Sequence, residues 1–424
     1  MKTRNLFFCC FILLFAVAST LYADEWYRGN LHMHSFWSDG NVFPEQAVDW
    51  YKDDGYHFVV LSDHTVLQLE PQKWIDVKAE PRWTSVFEKY VEKYGQPETR
   101  EVDGKKQVRL HTIHELKKKL DIPGRFLMIP GHEMNSTANG VTLHGNALNV
   151  AASIPFQTGE TLAESIDKNA LAVKKLGEDH GYPTLFMLNH PIWPYYDVDP
   201  LSMADAKETR LYEFVPAGGG VTGGFDVSPR YWNRESLWDI VTAFRVIKGH
   251  PLMYGTGTDD THDYTEARFN AGNPGLSWVM VRAEKLEPNS IIQALMQGNF
   301  YASNGVEMED ITFDKGTGTL SVKVKPAAGV KYRIRFIGTK RNFDQTVVPF
   351  EMEKGDRNPA RKGWTFSSDI GIVLSAVDGI EASYRLKADD LYVRAVIASD
   401  QPKEEVHAGL TPTVATAWTQ PFCP

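Results

Sequence analysis

The sequence predicts an α/β architecture followed by a smaller all-β segment, and three observations carry that expectation. From Trp26 to about Gly305, short apolar runs alternate with helical stretches, as in strands joined by helices. After about Glu307 the chain changes to period-two alternation between turn residues, which reads as a small antiparallel β-sandwich. At least five of the apolar runs lead directly into a histidine-plus-carboxylate cluster, the arrangement expected at the C-terminal ends of parallel barrel strands.

In chain order, Met1–Ala23 comes first. Lys2 and Arg4 precede the apolar run Leu6–Val17, and small residues lead to Ala23 before Asp24. That order is the grammar of a cleaved secretory signal, and the run is too short for a comfortable membrane span. Cys9 and Cys10 lie inside the run rather than just after it, which speaks against a lipoprotein. Cleavage after Ala23 would remove two cations, lower the formal charge from −9 to −11 and leave Cys423 as the one thiol. An exported chain with no intrachain disulfide must draw its stability from core burial.

Strands are expected at Arg28–His32, His57–Leu61, Phe126–Ile129, Thr142–Val150, Thr184–Leu188, Leu211–Val215 and Pro251–Tyr254. Helices are expected between them. Pro44–Asp54 starts on proline and stops before Gly55; Glu160–His180 places Leu162, Ile166, Val173 and Leu176 at helical spacing before Gly181; Pro288–Gln297 ends at Gly298. Residues 66–125 read as a polar insertion, in which the Glu115–Lys119 charge run forms the solvated face of a helix. Ala217–Gly224 lacks the ending of a phosphate-binding loop and reads as a lid or linker. The β segment supplies Leu320–Lys325, Lys331–Ile337, Ile372–Ala376 and Leu391–Ser399, with His407 as its one histidine. The expected division is therefore a signal at 1–23, a barrel at 24–306 and a β-sandwich-like domain at 307–424.

Hydrophobic residues at 42% and charged residues at 23% exclude a disordered or fibrous protein. The acidic balance argues against a nucleic-acid partner.

The chemistry lies in the order of the polar residues. His32 and His34 form His-Met-His, and period two puts both on one side of a strand. Asp39 follows in Ser-Asp-Gly, then Asp63-His64, then Gly131-His132-Glu133. His144 sits within a strand, Asn189-His190-Pro191 ends another, and Asp259-Asp260-Thr261-His262 ends the next. Imidazoles and carboxylates brought together suit divalent transition metals. His132 should point away, because adjacent strand residues face opposite sides.

Taken as a set, these motifs resemble the polymerase and histidinol phosphatase (PHP) superfamily of metal-dependent phosphoesterases, over Trp26 to about His262. The signal, Gly298–Gly305 and the β tail resemble a secreted branch that includes carbaryl-hydrolase-like proteins. The resemblance implies a distorted seven-stranded (β/α) barrel, TIM-like, with two or three divalent metals (Zn, Mn or Fe). It implies that His32, His34, Glu133 and Asp260 hold the first metal. Glu133 would bridge to a second, completed by His144 and His190, and Asp39, His64 and His262 would hold a third. Asp259 competes with Asp260, but only Asp260 has the Asp-x-His spacing to His262. The catalytic residues it points to are Glu133, Asp260 and Arg28, with Arg28 meeting substrate charge, Asp63 orienting ligands and Glu213 lining the pocket. Trp193, Tyr195 and Tyr196 would form a pocket wall.

The expected activity is hydrolysis of a small, anionic substrate outside the cytoplasm, with a hydroxide held between metals attacking phosphorus. No Gly-x-Ser-x-Gly nucleophile elbow is present. A carbamate or carboxylic ester hydrolase of the same fold is the alternative. A non-catalytic metal protein docking glycan or envelope is another. DNA proofreading conflicts with export and with the charge.

Overall fold

The computed structural model describes residues 24–191, 198–216, 234–264, 272–352, 361–403 and 413–424. The segment Met1–Ala23, the trio Trp193, Tyr195 and Tyr196, the Ala217–Gly224 loop and His407 lie outside the described residues. No helix among the described residues is long and apolar enough to cross a membrane.

The chain is mixed α/β around one large sheet. It begins with β1 (Glu25–Asn30), α1 (Pro44–Asp53) and β2 (Phe58–Leu61). The polar insertion then folds as β3 (Trp74–Asp76), α2 (Pro81–Tyr94), β4 (Thr99–Val102), β5 (Lys105–Arg109) and α3 (Ile113–Leu120). Next come β6 (Leu127–Ala138), β7 (Val141–Leu148), α4 (Leu162–His180), β8 (Leu185–Leu188), α5 (Pro200–Asp205) and β9 (Leu211–Pro216). α6 (Arg234–Ile247), β10 (Tyr254–Thr258), β11 (Trp278–Ala283), α7 (Pro288–Gln297) and β12 (Phe300–Ser303) follow. The remainder is all β: β13 (Met308–Asp314), β14 (Thr319–Val324), β15 (Tyr332–Lys340), β16 (Val348–Met352), β17 (Arg361–Thr365), β18 (Ile372–Asp378), β19 (Glu381–Arg385), β20 (Asp390–Lys403) and β21 (Thr413–Thr419).

β1, β2, β6, β8, β9 and β10 run in one direction. β7 runs against them, between β6 and β8. These strands are therefore not all parallel, and Asn139-Gly140 is the reason. These two residues join β6 to β7 with φ of +55° and +77°, the left-handed pair of a two-residue hairpin turn, which forces the strands antiparallel. β11 also runs against β1.

The sheet curls. Leu31, Val60, Ile129, Leu148, Met187, Leu211, Tyr254 and Val279 share one buried cluster. They come from strands far apart in the pairing order, so the cluster fills the concave side. β10 returns to pack on β11 and β12. There the Gln420 side chain accepts from Gly255 N and donates to Gly255 O, both at 3.0 Å, standing in for a strand neighbour. α1 and α3 pack outside β2 and β6, while α4 and α6 cover β8 and β9.

Other differences from expectation have local causes. The strand expected at Pro251–Tyr254 forms at Tyr254–Thr258, where glycine hides the β pattern. Gly257 is needed there, because a Cβ would stand 2.5 Å from Trp278 O. The β tail joins the large sheet. β12 pairs with β21, and β20, β15 and β18 continue the same thirteen-stranded sheet. β13, β14 and β19 form a second sheet whose Leu320, Val322 and Tyr384 share a core with Ile334, Phe336 and Ile397.

Candidate metal centre

The six co-directional strands end on one side, and β7, running the other way, brings its N-terminal half to the same side. His144 on β7 sits opposite Asn135 of β6. That geometry gathers histidines and carboxylates from distant sequence positions.

Three overlapping groups have ligand atoms within 4.8 Å of one another: His32, His34 and Asp260; His64, Glu133 and His144; and His34, Asp39, His64 and His262. His32 Nε2 and His34 Nε2 are 3.1 Å apart, and Asp260 Oδ1 is 3.2 and 3.1 Å from them. Donors 2.0–2.1 Å from a tetrahedral divalent ion stand roughly 3.3 Å apart, so this spacing fits one. Glu133 joins the groups. Its Oε1 accepts from Asn189 Nδ2 at 2.7 Å and lies 2.9 Å from His144 Nδ1. Its Oε2 faces His32 Nε2 at 3.4 Å and His34 Nε2 at 3.6 Å. His64 Nδ1 is 2.7 Å away, but out of line, and Oε2 is buried without a hydrogen bond. A buried carboxylate oxygen left open among imidazoles suits a cation.

His190 stands beside these groups, against Glu133 and His144. His64 also reaches Glu133 and His144, while His190 Nε2 lies 3.5 Å from Glu133 Oε1 and its ring stacks on His32. His190 and Asp260 hold φ of +27° and +48°, strained values for side-chain-bearing residues, of the kind concentrated at functional sites.

The electrostatics follow from crowding. Burial opposes charge on His32, but Asp260, Glu213 and Glu133 hold it well above the ordinary imidazole range. Burial, with His262 beside it, lowers His34 to about 3. Burial also opposes charge on Glu133 and Asp260, yet neighbouring imidazoles push both well below the usual carboxylate range. Asp39 is lowered as well, by His262, His34 and His64 against burial. The site grades from closed to open: His32, His34 and Glu133 side chains are fully buried, whereas Asp39 is 55% exposed.

Asp260, not Asp259, belongs to the cluster. Asp259 turns away to accept from Gly275 N, Leu276 N, Ser277 N and Tyr51 OH. His132 also faces away, its Nε2 accepting from Ile154 N at 3.1 Å. Asp63 steadies the loop that carries Asp39, accepting from Ser35 N, Ser38 Oγ and Gln68 Nε2. Arg28 must be corrected. Its guanidinium bonds Asp54 and stacks on the Tyr56 and Trp278 rings, away from the ligand groups. Four residue steps, about 13 Å of extended chain, separate Arg28 from His32. Glu213 does more than line the pocket, since its carboxylate lies 2.6 Å from His32 Nδ1. Asn189 was visible in Asn-His-Pro, but its contact with Glu133 depends on the fold.

No protein-family model matches the chain, and no curated protein matches it. Among solved structures, a two-domain protein from Bacteroides vulgatus containing a predicted PHP-like metal-dependent phosphoesterase is 15% identical, with a TM-score of 0.38. The match covers 88% of this chain and 90% of that one. A candidate metal-dependent phosphoesterase from Bifidobacterium adolescentis is 13% identical with a TM-score of 0.32, covering 63% of this chain and 95% of its own. At those values neither fixes an activity for this chain.

Proposed function

We propose that the chain is an exported metal-dependent hydrolase, a phosphoesterase acting on a small anionic substrate. The observation that carries this reading is the buried Glu133 oxygen open to His32, His34 and His64, at the junction of three candidate ligand groups. Export rests on the signal-like Met1–Ala23. We read β1, β2 and β6 to β10 as the seven strands of a distorted barrel within 24–306, and 307–424 as an appended β-sandwich-like domain.

A divalent ion held there supplies a Lewis acid for a phosphoryl oxygen and lowers the pKa of water towards neutrality. The chain's own groups do the rest. Asn189 and His144 hold Oε1 of Glu133, so Oε2 is kept facing the site. Substrate enters past Asp39, the exposed member. Arg82 of α2, ion-paired with Asp263 next to His262, puts a cation near that rim, which supports an anionic substrate. The open rim favours catalysis over a structural site, which protein ligands would close.

Protein loaded with manganese, zinc or iron should hydrolyse p-nitrophenyl phosphate or its diester, and His32→Ala should not. Activity confined to aryl carbamates or carboxylic esters would replace phosphoesterase with the alternative hydrolase. Metal-loaded protein inert on all of these would refute the enzyme reading.

A further inference from the structure

Glu213 is fully buried in β9, and three donors, one on β10 and two just past the ends of β1 and β8, meet its carboxylate. Oε1 lies 2.6 Å from His32 Nδ1 and accepts from Thr258 Oγ1 at 2.7 Å. Oε2 accepts from His190 N at 2.7 Å. An ionised carboxylate can only accept, so the proton on that edge of the imidazole belongs to Nδ1. Nε2 is then the ligand atom, and it is the atom facing His34, Asp260 and Glu133.

We propose that Glu213 is a positioning residue of the metal centre, fixing the tautomer and aim of His32 while Thr258 and the His190 amide hold Glu213 itself. The proposal rests on the metal-dependent reading above. A carboxylate behind a ligating imidazole fixes its orientation and strengthens it as a donor; losing such a partner costs about 10–100-fold in metal affinity. Glutamine keeps the size of Glu213 but not its function. Its NH₂ must face either the His190 N–H or the His32 and Thr258 protons, setting donor against donor.

The test titrates cobalt(II) into the EDTA-stripped full chain and follows visible absorption. Glu213→Gln should bind cobalt about 10–100-fold more weakly, with an altered spectrum. Thr258→Val, which removes one anchor and no charge, should shift affinity the same way by less. In a His32→Ala background, Glu213→Gln should add little, since its effect passes through His32. Wild-type affinity and spectrum in Glu213→Gln would overturn the proposal, as would a loss fully additive with His32→Ala. If Glu213→Gln fails to fold by circular dichroism, Thr258→Val decides, and an unchanged affinity there overturns the proposal. Wild-type protein that takes up no cobalt would instead refute the metal reading, and this proposal with it.

Discussion

Arg394 on β20 and Asp239 on α6 form a fully buried two-point ion pair, with Nε to Oδ1 at 2.8 Å and Nη2 to Oδ2 at 2.6 Å. Tyr392 OH adds a third bond to Asp239 Oδ1 at 2.8 Å. The pair ties the helical layer to the C-terminal strands. Removing one partner leaves an uncompensated buried charge, a loss of about 3–5 kcal/mol. Arg394→Met and Asp239→Asn should therefore each lower the urea midpoint strongly. The double change Asp239→Leu/Arg394→Met should recover part of that loss, because Asp239 and Arg394 then leave no charge behind and Glu235, the other partner of Arg394, still faces Arg335 at 3.8 Å. A double variant as unstable as the singles would mean that geometry, not charge, is what the pair contributes.

Glu133 is the residue on which the metal groups converge, so its conversion to glutamine tests the site most directly. Glu133→Gln places an N–H₂ among imidazoles and removes the negative charge that a cation would meet there. Metal retained per chain, measured by elemental analysis after dialysis, should fall, and hydrolysis should drop by at least about 100-fold, more than loss of an outer partner costs. Retained metal with lost activity would make Glu133 an acid–base group rather than a ligand.

Much of this site was legible because side-chain identity and strand position decide it. His32, His34, Glu133 and Asp260 sit on or just after apolar runs, and period two and Asp-x-His spacing select residues that the fold brings together. What stayed hidden depends on direction and on distance in sequence. Asn139-Gly140 between alternating runs is a strong hairpin signal, and it was available. Read together with Thr142–Val150, it announces an antiparallel strand. Arg28 shares a face with His32 by period, but period cannot say which end of the strand holds the site. The Glu213–His32 contact spans 181 residues, and no local pattern encodes it.

The metal-free site should titrate visibly. His262 is raised to about 9, since burial opposes its charge but Asp260 and Asp39 outweigh it. Between pH 6.5 and about 9 the native state keeps a proton that the unfolded chain has released. This group's stabilisation is therefore full below pH 6.5 and lost as pH rises through about 9. Burial lowers Lys403 to about 8, which acts in the opposite sense, so the measurement is a difference between proteins. The thermal midpoint of EDTA-stripped wild type should fall relative to His262→Ala across that window. Cobalt affinity should rise over the same range as the competing proton leaves. Parallel profiles for wild type and variant would count against the His262–Asp260–Asp39 cluster.

Arg245 holds the approach to β9 through hydrogen bonds to backbone carbonyls. Its Nε donates to Pro251 O, Nη1 to Met203 O and Ala206 O, and Nη2 to Lys207 O and Thr209 O. Burial lowers it to about 10 although the nearby Asp167 and Glu208 charges oppose the shift, so it remains charged at neutral pH. These carbonyls belong largely to the turn between α5 and β9, four residues before Glu213. Lysine carries three donors on a flexible stem and cannot match a planar fork. Each carbonyl left buried and unpaired costs about 1–3 kcal/mol. Arg245→Lys should thus destabilise the fold by at least about 2 kcal/mol and weaken cobalt binding by loosening the start of β9. Urea unfolding and cobalt titration of the same variant check both. A stable variant with weakened cobalt binding would show that the turn positions the site without supporting the fold, whereas a destabilised variant with wild-type affinity would break the link from Arg245 to Glu213.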